Sequence, residues 1–244
     1  MIEGYSITVV MPCRNEERAI VDILRTMPDV IDEVIVVDNN STDSTAAVAA
    51  SHGAKVLNEP RTDKGIGYGY ALQSGIDAAT SDVVFTMDAD GTYPIHRIQS
   101  LITEMLAREK DFISCCRLPR QETEEKLWVR IAGVKILNGV LSLLYNYSVQ
   151  DCLSGMMIMR RDKFAHCKFE EGGWNFSLEL KLVALVDPDI RFAEIHIPYH
   201  DRILNQSKQQ IFVTGFEHLL YLFRFRFTHP KRRLMKSAQY VEAA

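Results

Sequence analysis

The stretch Val83-Val84-Phe85-Thr86-Met87-Asp88-Ala89-Asp90-Gly91-Thr92-Tyr93-Pro94 reads as a short buried strand that runs into two aspartates and then a turn. Apolar and β-favouring residues end at Met87, and Gly91 and Pro94 break the chain. The carboxylates of Asp88 and Asp90 follow with one residue between them. At that spacing they can share a hard divalent cation, Mg²⁺ or Mn²⁺, whose remaining positions substrate phosphate oxygens commonly fill. Asp and Gly also make ordinary solvated turns, and an isolated Asp-x-Asp does not choose between the two readings.

The chain upstream supplies the context. Residues 7–11 form an apolar run ended by Pro12, and residues 33–37 and 54–57 read as two more strands. Between them fall a helix with Ile20, Ile23, Leu24 and Met27 at helical spacing and an Ala-rich helix ending near Gly53. Ser41 or Thr42 is positioned to cap the second of these. A further helix spans roughly residues 67–79. Four strand–helix alternations predict an α/β fold with a mostly parallel sheet and right-handed crossovers. Ligands of such sheets bind beyond the carboxyl ends of the strands. The polar clusters at residues 14–16, 38–43 and 88–90 all follow strands on that side, which favours a ligand rim over three unrelated turns.

Downstream, Ile98, Leu101, Ile102, Met105 and Leu106 mark another helix, and residues 111–116 a strand ending at Arg117. Residues 122–126 read as a solvated link before a long apolar helix over residues 127–147 that carries Arg130. A loop at residues 151–155 leads to a strand at 156–159, then a helix at 174–186 containing Glu179 and a last strand at 191–197. In the tail, Ile211, Phe212, Gly215, Phe216, Leu219, Leu220 and Phe223 share one helical face, followed by Arg224, Arg226, Lys231, Arg232 and Arg233. An apolar, aromatic face beside cations suits an interfacial helix on anionic lipid. It equally suits a terminal helix packed on the core, with its basic end favoured by the helix dipole.

Composition narrows the class. The 244 residues carry a net charge of −4, which argues against a general nucleic-acid binder. Residues 202–236 alone carry +7, so the remainder is strongly acidic. The five cysteines form no Cys-x-x-Cys pair, so neither a zinc site nor a disulfide framework is indicated, and a reducing cytoplasm fits. The first residues have no signal-peptide character, and no unbroken run of about 18 apolar residues predicts a membrane span. The seven histidines, at 52, 96, 166, 196, 200, 218 and 229, are scattered and read as structural or exposed, and Asp43, Asp63 and Asp82 as turn or cap residues.

Taken together, Val10-Met11-Pro12-Cys13-Arg14-Asn15-Glu16-Glu17, Val36-Val37-Asp38-Asn39-Asn40-Ser41-Thr42-Asp43, Lys64-Gly65 and Met87-Asp88-Ala89-Asp90-Gly91 resemble the family 2 glycosyltransferases of GT-A fold. Asp151-x-x-Ser154-Gly155, Phe176-x-x-Glu179 and Asp201-Arg202-x-x-x-x-Ser207-Lys208 are similar to dolichyl-phosphate mannose synthases and related polyprenyl-phosphate sugar transferases. The resemblance covers roughly residues 5–228 and implies a GT-A catalytic domain over 1–208, followed by an amphipathic basic helix and tail over 209–244. It implies an inverting, metal-assisted transfer from a GDP- or UDP-linked sugar to a polyprenyl phosphate. Pro12, Arg14, Glu16, Val36 and Asp38 would line the nucleoside pocket, with Lys64 among the substrate-binding residues. Asp88, Ala89 and Asp90 would meet the diphosphate, Asp88 and Asp90 the Mg²⁺ or Mn²⁺. Arg117, Arg202 and Lys208 would contact donor or acceptor phosphates, and Arg130 would serve the acceptor; Asp90, Arg117 and Arg130 would carry the catalysis.

Departures from the family pattern are Asn39 where a second acid is common, Arg14 where the synthases have tyrosine, and Thr92 where they have Gln or Ser. The implied setting is the cytoplasmic face of a membrane, reached through the C-terminal helix or through a separate membrane subunit. Two alternatives stand beside this reading. A family 2 enzyme with a soluble or glycan hydroxyl acceptor needs a carboxylate base, for which Asp151 or Glu179 is a candidate. A non-catalytic nucleotide-sugar binding protein has no need of the aspartate pair that this chain keeps.

Overall fold

The computed structural model describes residues 1–118, 127–199, 210–228 and 240–241. In chain order the elements are β1 (Ile7–Cys13), α1 (Glu17–Arg25), β2 (Glu33–Asp38), α2 (Thr45–Ser51), β3 (Lys55–Asn58), α3 (Tyr68–Ala78) and β4 (Val83–Thr86). There follow a 3₁₀ turn at Ile95–Arg97, α4 (Ile98–Ala107), β5 (Phe112–Cys116), α5 (Leu127–Tyr145), β6 (Met157–Arg160) and the one-turn α6 (Arg161–Phe164). The chain ends with α7 (Phe176–Val186), β7 (Phe192–His196), α8 (Ile211–Thr228) and the two-residue β8 (Tyr240–Val241).

The strands form one sheet in the order β3-β2-β1-β4-β6-β5-β7-β8. All neighbours are parallel except β6, which runs antiparallel to both β4 and β5. The mostly parallel α/β sheet expected from the sequence is therefore present, with one reversed strand that matters for the site. Parallel strands place the loops after β1, β2 and β4 on one rim. Because β6 is reversed, the loop that precedes it, residues 150–155, arrives at that same rim.

Strand side chains alternate between two faces, and both faces are covered. Val10, Ile35, Val37, Val84 and Met157 point into a core closed by α3, α5, α7 and α8. Val9, Met11, Val36, Phe85 and Ile158 point into the opposite core, closed by α1, α2 and α4. The five cysteines are free thiols.

Three features bear on the expectations from the sequence. Ser41 and Thr42 do not cap α2: the Ser41 hydroxyl accepts the Asn15 N–H at 2.9 Å, and the Thr42 N–H donates to Asn15 Oδ1 at 2.7 Å. Asp43 takes the Thr45 N–H at 3.0 Å in their place. The window Trp128–Tyr145 of α5 is, by length and composition, long and apolar enough to cross a membrane, and only 22% of it is buried. It escaped the search for an unbroken apolar run because Arg130 and Lys135 interrupt it. Of the apolar face read on α8, Phe212, Phe216, Leu220 and Phe223 are exposed and Leu219 packs against the core, while Thr214, His218, Tyr221, Leu222 and Phe225 form the buried side.

The tightest approach of helix to sheet is at Gly75 of α3. A Cβ there would lie 2.3 Å from Val10 Cγ1 and 3.0 Å from Val37 Cγ2. Gly75→Ala is expected to destabilise the fold by about 1–3 kcal/mol through overpacking, measured by urea unfolding. Equal or greater stability of the variant would contradict this packing.

Candidate functional site

One pocket opens at the carboxyl-end rim. Pro12, Arg14 and Glu16 line it after β1, Asn39 after β2, and Asp88, Ala89 and Asp90 after β4. Arg117 enters from the end of β5 and Arg130 from the first turns of α5. The structure thus brings together eight of the side chains singled out in the sequence. Three others lie elsewhere. Val36 is fully buried in the sheet, Asp38 accepts the Ser41 N–H at 3.3 Å, and Lys64 is exposed on its loop. Arg202 and Lys208 fall outside the described residues.

The two aspartates are held by their neighbours. The Tyr68 hydroxyl, from the first turn of α3, donates to Asp88 Oδ1 at 2.9 Å. The Thr92 N–H and hydroxyl donate to Asp90 Oδ1 at 3.1 and 2.6 Å. Tyr68 stacks on Trp174 with centroids 4.8 Å apart, and burial, with Asp88 beside it, raises its phenol well above the usual range. A Cβ on Gly155 would sit 2.8 Å from the Tyr68 hydroxyl and 3.2–3.3 Å from the Asp88 carboxylate oxygens, so this position must stay bare. Two carboxylates with fixed orientation at a rim suit a hard divalent ion that takes the rest of its shell from phosphate oxygens and water. Among the described residues no cluster of three or more His, Cys, Asp or Glu side chains is arranged to hold a metal without such help.

Beneath these groups lies a buried ionic network. Arg117, 9% exposed, pairs with Asp151 through Nε at 2.7 Å and Nη2 at 3.0 Å, and its own N–H reaches the same carboxylate at 3.0 Å. Burial alone would raise the Asp151 carboxyl, but the Arg117 guanidinium holds it well below the usual range. Fully buried Lys181 donates to the carbonyls of Ser154 at 2.7 Å and Asp151 at 3.2 Å. Glu194 accepts the N–H groups of Gln150 at 2.7 Å and Asp151 at 2.9 Å. Arg117 also lies 5.4 Å from the centroid of the Tyr199 ring.

This arrangement removes both candidate carboxylate bases. Asp151 is locked in a bidentate pair with Arg117. Glu179 accepts the N–H groups of Glu170 and Glu171 at 3.0 Å each and is 3% exposed. The pocket also contains groups that were assigned no site role from the sequence. Asn39 is 2% exposed, donates to the Glu59 carbonyl at 2.9 Å, and leaves its Oδ1 without a partner. Trp174, Ser177, Tyr199 and His218 line the same space. Asn39 lies within the motif at residues 36–43, whereas no local motif marks Trp174, Tyr199 or His218.

The pocket continues away from the aspartates between two helices. From α5 come Val129, Arg130, Gly133, Val134 and Leu137, and from α8 Ile211, Thr214, Gly215 and His218. The outer surface of the same pair exposes Trp128, Ile136 and Leu143 on α5 and Phe212, Phe216 and Phe227 on α8.

The sequence model described as "Glycosyl transferase family 2" matches residues 8–167. The chain is 34% identical over 205 residues to an uncharacterised glycosyltransferase of Mycobacterium bovis, covering 84% of this chain and 90% of that protein. It is 32% identical over 217 residues to a dolichyl-phosphate hexose transferase of Haloferax volcanii, covering 86% of this chain and 89% of that protein. In fold it is similar to glucosyl-3-phosphoglycerate synthase from Mycobacterium tuberculosis in complex with Mn²⁺, uridine diphosphate and glucosyl-3-phosphoglycerate. That match has a TM-score of 0.68 at 21% identity and covers 91% of this chain and 80% of the other.

Burial pushes the Glu194 carboxyl up to about 7, whereas an unfolded glutamate titrates near ~4.3. Between those values the folded chain holds the extra proton, so the contribution of Glu194 to stability falls as pH rises. Relative to Glu194→Gln, the unsubstituted protein is therefore expected to lose stability between about pH 4.5 and about 7 in urea unfolding. A difference between the two that does not vary with pH would contradict the buried network.

Proposed function

The chain belongs to glycosyl transferase family 2, and from that premise we propose that it moves a sugar from a nucleoside-diphosphate sugar to a polyprenyl phosphate, with inversion at the anomeric carbon. The observation that carries this reading is the shape of the pocket. It runs from the aspartate pair into a groove between α5 and α8 whose outer surface is apolar and exposed. A soluble acceptor has no use for that surface, whereas a lipid acceptor must be drawn from a bilayer.

The two halves of the pocket divide the work. Pro12, Arg14, Glu16 and Asn39 face the nucleoside, and the unpartnered Asn39 Oδ1 calls for a donor such as a nucleobase N–H. Asp88 and Asp90 would hold Mg²⁺ or Mn²⁺ against the diphosphate; the glucosyl-3-phosphoglycerate synthase of similar fold was solved with Mn²⁺ and uridine diphosphate. The ion supplies stabilisation of the charge that builds on the leaving diphosphate. Tyr68 and Thr92 fix the carboxylates that bind it, so Thr92 acts one step behind the metal rather than on it. Arg117 and Arg130 face the phosphates, Arg117 already aimed by Asp151. An acceptor phosphate ionised near neutral pH needs steering by cations more than a strong base, which agrees with the locking of Asp151 and Glu179. The dolichyl-phosphate hexose transferase of Haloferax volcanii supports the same acceptor class.

Membrane attachment follows from the same surface. Aromatic side chains on the outer side of α5 and α8 fit the headgroup–acyl boundary of a bilayer, with the protein lying on the membrane.

Purified protein incubated with labelled UDP- and GDP-sugars, Mg²⁺ or Mn²⁺ and short polyprenyl phosphates is expected to form a glycolipid. Asp90→Ala is expected to abolish it while circular dichroism stays unchanged. Absence of glycolipid with every donor would refute the acceptor assignment. Phe212→Asp, Phe216→Asp and Phe227→Asp together are expected to abolish flotation with anionic liposomes, and equal recovery would remove the membrane role.

A further inference from the structure

The inner stripes of α5 and α8 are apolar or small except for a few positions. Arg130 supplies a cation on α5, and on α8 the exceptions are Thr214 and His218. His218 was expected to be structural or exposed. It is not exposed: it is 3% accessible, and its Nδ1 lies 2.7 Å from Asn175 Oδ1.

That contact points to one tautomer, with the Asn175 amide oriented so that its oxygen faces the ring. An amide oxygen only accepts, so Nδ1 carries the hydrogen and Nε2 keeps its lone pair. Asn175 is the residue just before α7, next to Trp174, which stacks on the Tyr68 that holds Asp88. Of the charged groups nearby, Lys181 on α7 acts on the ring, Glu179 stands one turn after Asn175 in α7, and Arg130 lines the pocket from α5. Glu179 is engaged by backbone N–H groups and Tyr221, and Lys181 by two carbonyls. Burial, reinforced by Lys181, pushes the imidazole down to about 4, so it is neutral at working pH. A neutral ring among cations offers the pocket something that Arg117 and Arg130 do not: a hydrogen-bond acceptor.

We infer that His218 Nε2 recognises a protonated oxygen on the acceptor head group, so that the acceptor phosphate is taken as its monoanion. This rests on the polyprenyl-phosphate reading above and names the ionisation state that the site selects. Cations bind the two unprotonated oxygens, which share the single charge, and Nε2 accepts the hydrogen bond of the P–OH. In the transfer, a phosphate oxygen bonds to the anomeric carbon as the bond from that carbon to the diphosphate breaks with its electron pair. The product is a phosphodiester, a far stronger acid than the monoester. Its proton passes to Nε2, and from there to water when product leaves.

Two measurements test this. With ¹⁵N-labelled histidine, and His218 assigned by its loss in His218→Gln, the free protein is expected to show the Nδ1–H tautomer. Saturating farnesyl phosphate is expected to shift the Nε2 resonance and raise its titration midpoint by at least about one unit, while farnesol leaves both unchanged. An Nε2–H tautomer, or identical spectra with and without farnesyl phosphate, would overturn the proposal whether or not any sugar is transferred. In the transfer assay, His218→Leu is expected to raise KM for the acceptor at least tenfold with KM for the nucleotide sugar unchanged. His218→Gln, which keeps an accepting oxygen, is expected to stay within about threefold of the unsubstituted protein. Equal impairment of the two variants, or a parallel rise in both KM values, would show a structural role instead. Absence of any transfer by the unsubstituted protein would refute the acceptor reading on its own, leaving the spectroscopic result to decide the role of His218.

Discussion

The Arg117–Asp151 pair is the contact on which the site depends. An arginine at the end of β5 is buried under the pocket, and Asp151 is what makes that burial tolerable. Breaking one partner of such a pair leaves an uncompensated charge and is strongly destabilising, at about 3–5 kcal/mol. The pair does more than neutralise charge. Asp151 belongs to the loop before the reversed strand β6, so the bond sets where that loop sits. Lys181 and Glu194 complete the grip, one through carbonyls and the other through N–H groups. With residues 150–155 clamped, Gly155 lies against the Asp88 carboxylate and its N–H donates to the Tyr93 hydroxyl at 2.9 Å. The geometry at the aspartates is thus anchored by a network in which Arg117 alone lines the pocket, while Asp151, Lys181 and Glu194 stand behind it.

Above that floor the pocket has two chemistries. The sheet side presents carboxylates and amides suited to a nucleotide and its metal. The helical side presents small and apolar residues with few polar groups, suited to an acceptor whose body is hydrocarbon. α8 serves both ends of this division. Its buried side packs through Tyr221, Leu222 and Phe225 and contributes to the groove, and its other side carries aromatic residues into solvent. Deleting the helix would therefore unmake the pocket along with any membrane contact.

Much of this could be read from the chain. Strand–helix alternation fixes a parallel sheet, and a parallel sheet puts the residues after each strand on one rim. That is why Arg14, Asp88 and Asp90 could be placed together from sequence. The reversed direction of β6 could not, since a four-residue apolar run such as residues 156–159 looks the same in either orientation. Arg117 and Asp151 stand 34 positions apart, and nothing local marks them as a pair. For α8 two readings stayed open, an interfacial face and one packed on the core, and this too has a physical reason. Hydrophobic periodicity identifies an apolar stripe but not what it faces, and here the apolar stripe is outward while a polar residue, His218, points inward. Asn39, Trp174 and Tyr68 matter through contacts across the fold, which spacing in sequence does not encode.

The central claim is that Asp88 and Asp90 form the metal–diphosphate end of a pocket whose other end receives the acceptor. Anomalous diffraction from crystals grown with Mn²⁺ and uridine diphosphate tests it most directly. A single strong Mn²⁺ peak is expected between the carboxylates of Asp88 and Asp90, in contact with the diphosphate, with the nucleoside toward Arg14 and Asn39 and the α5–α8 groove open. Nucleotide bound with no Mn²⁺ at these aspartates, or with its diphosphate lying in the α5–α8 groove, would contradict it.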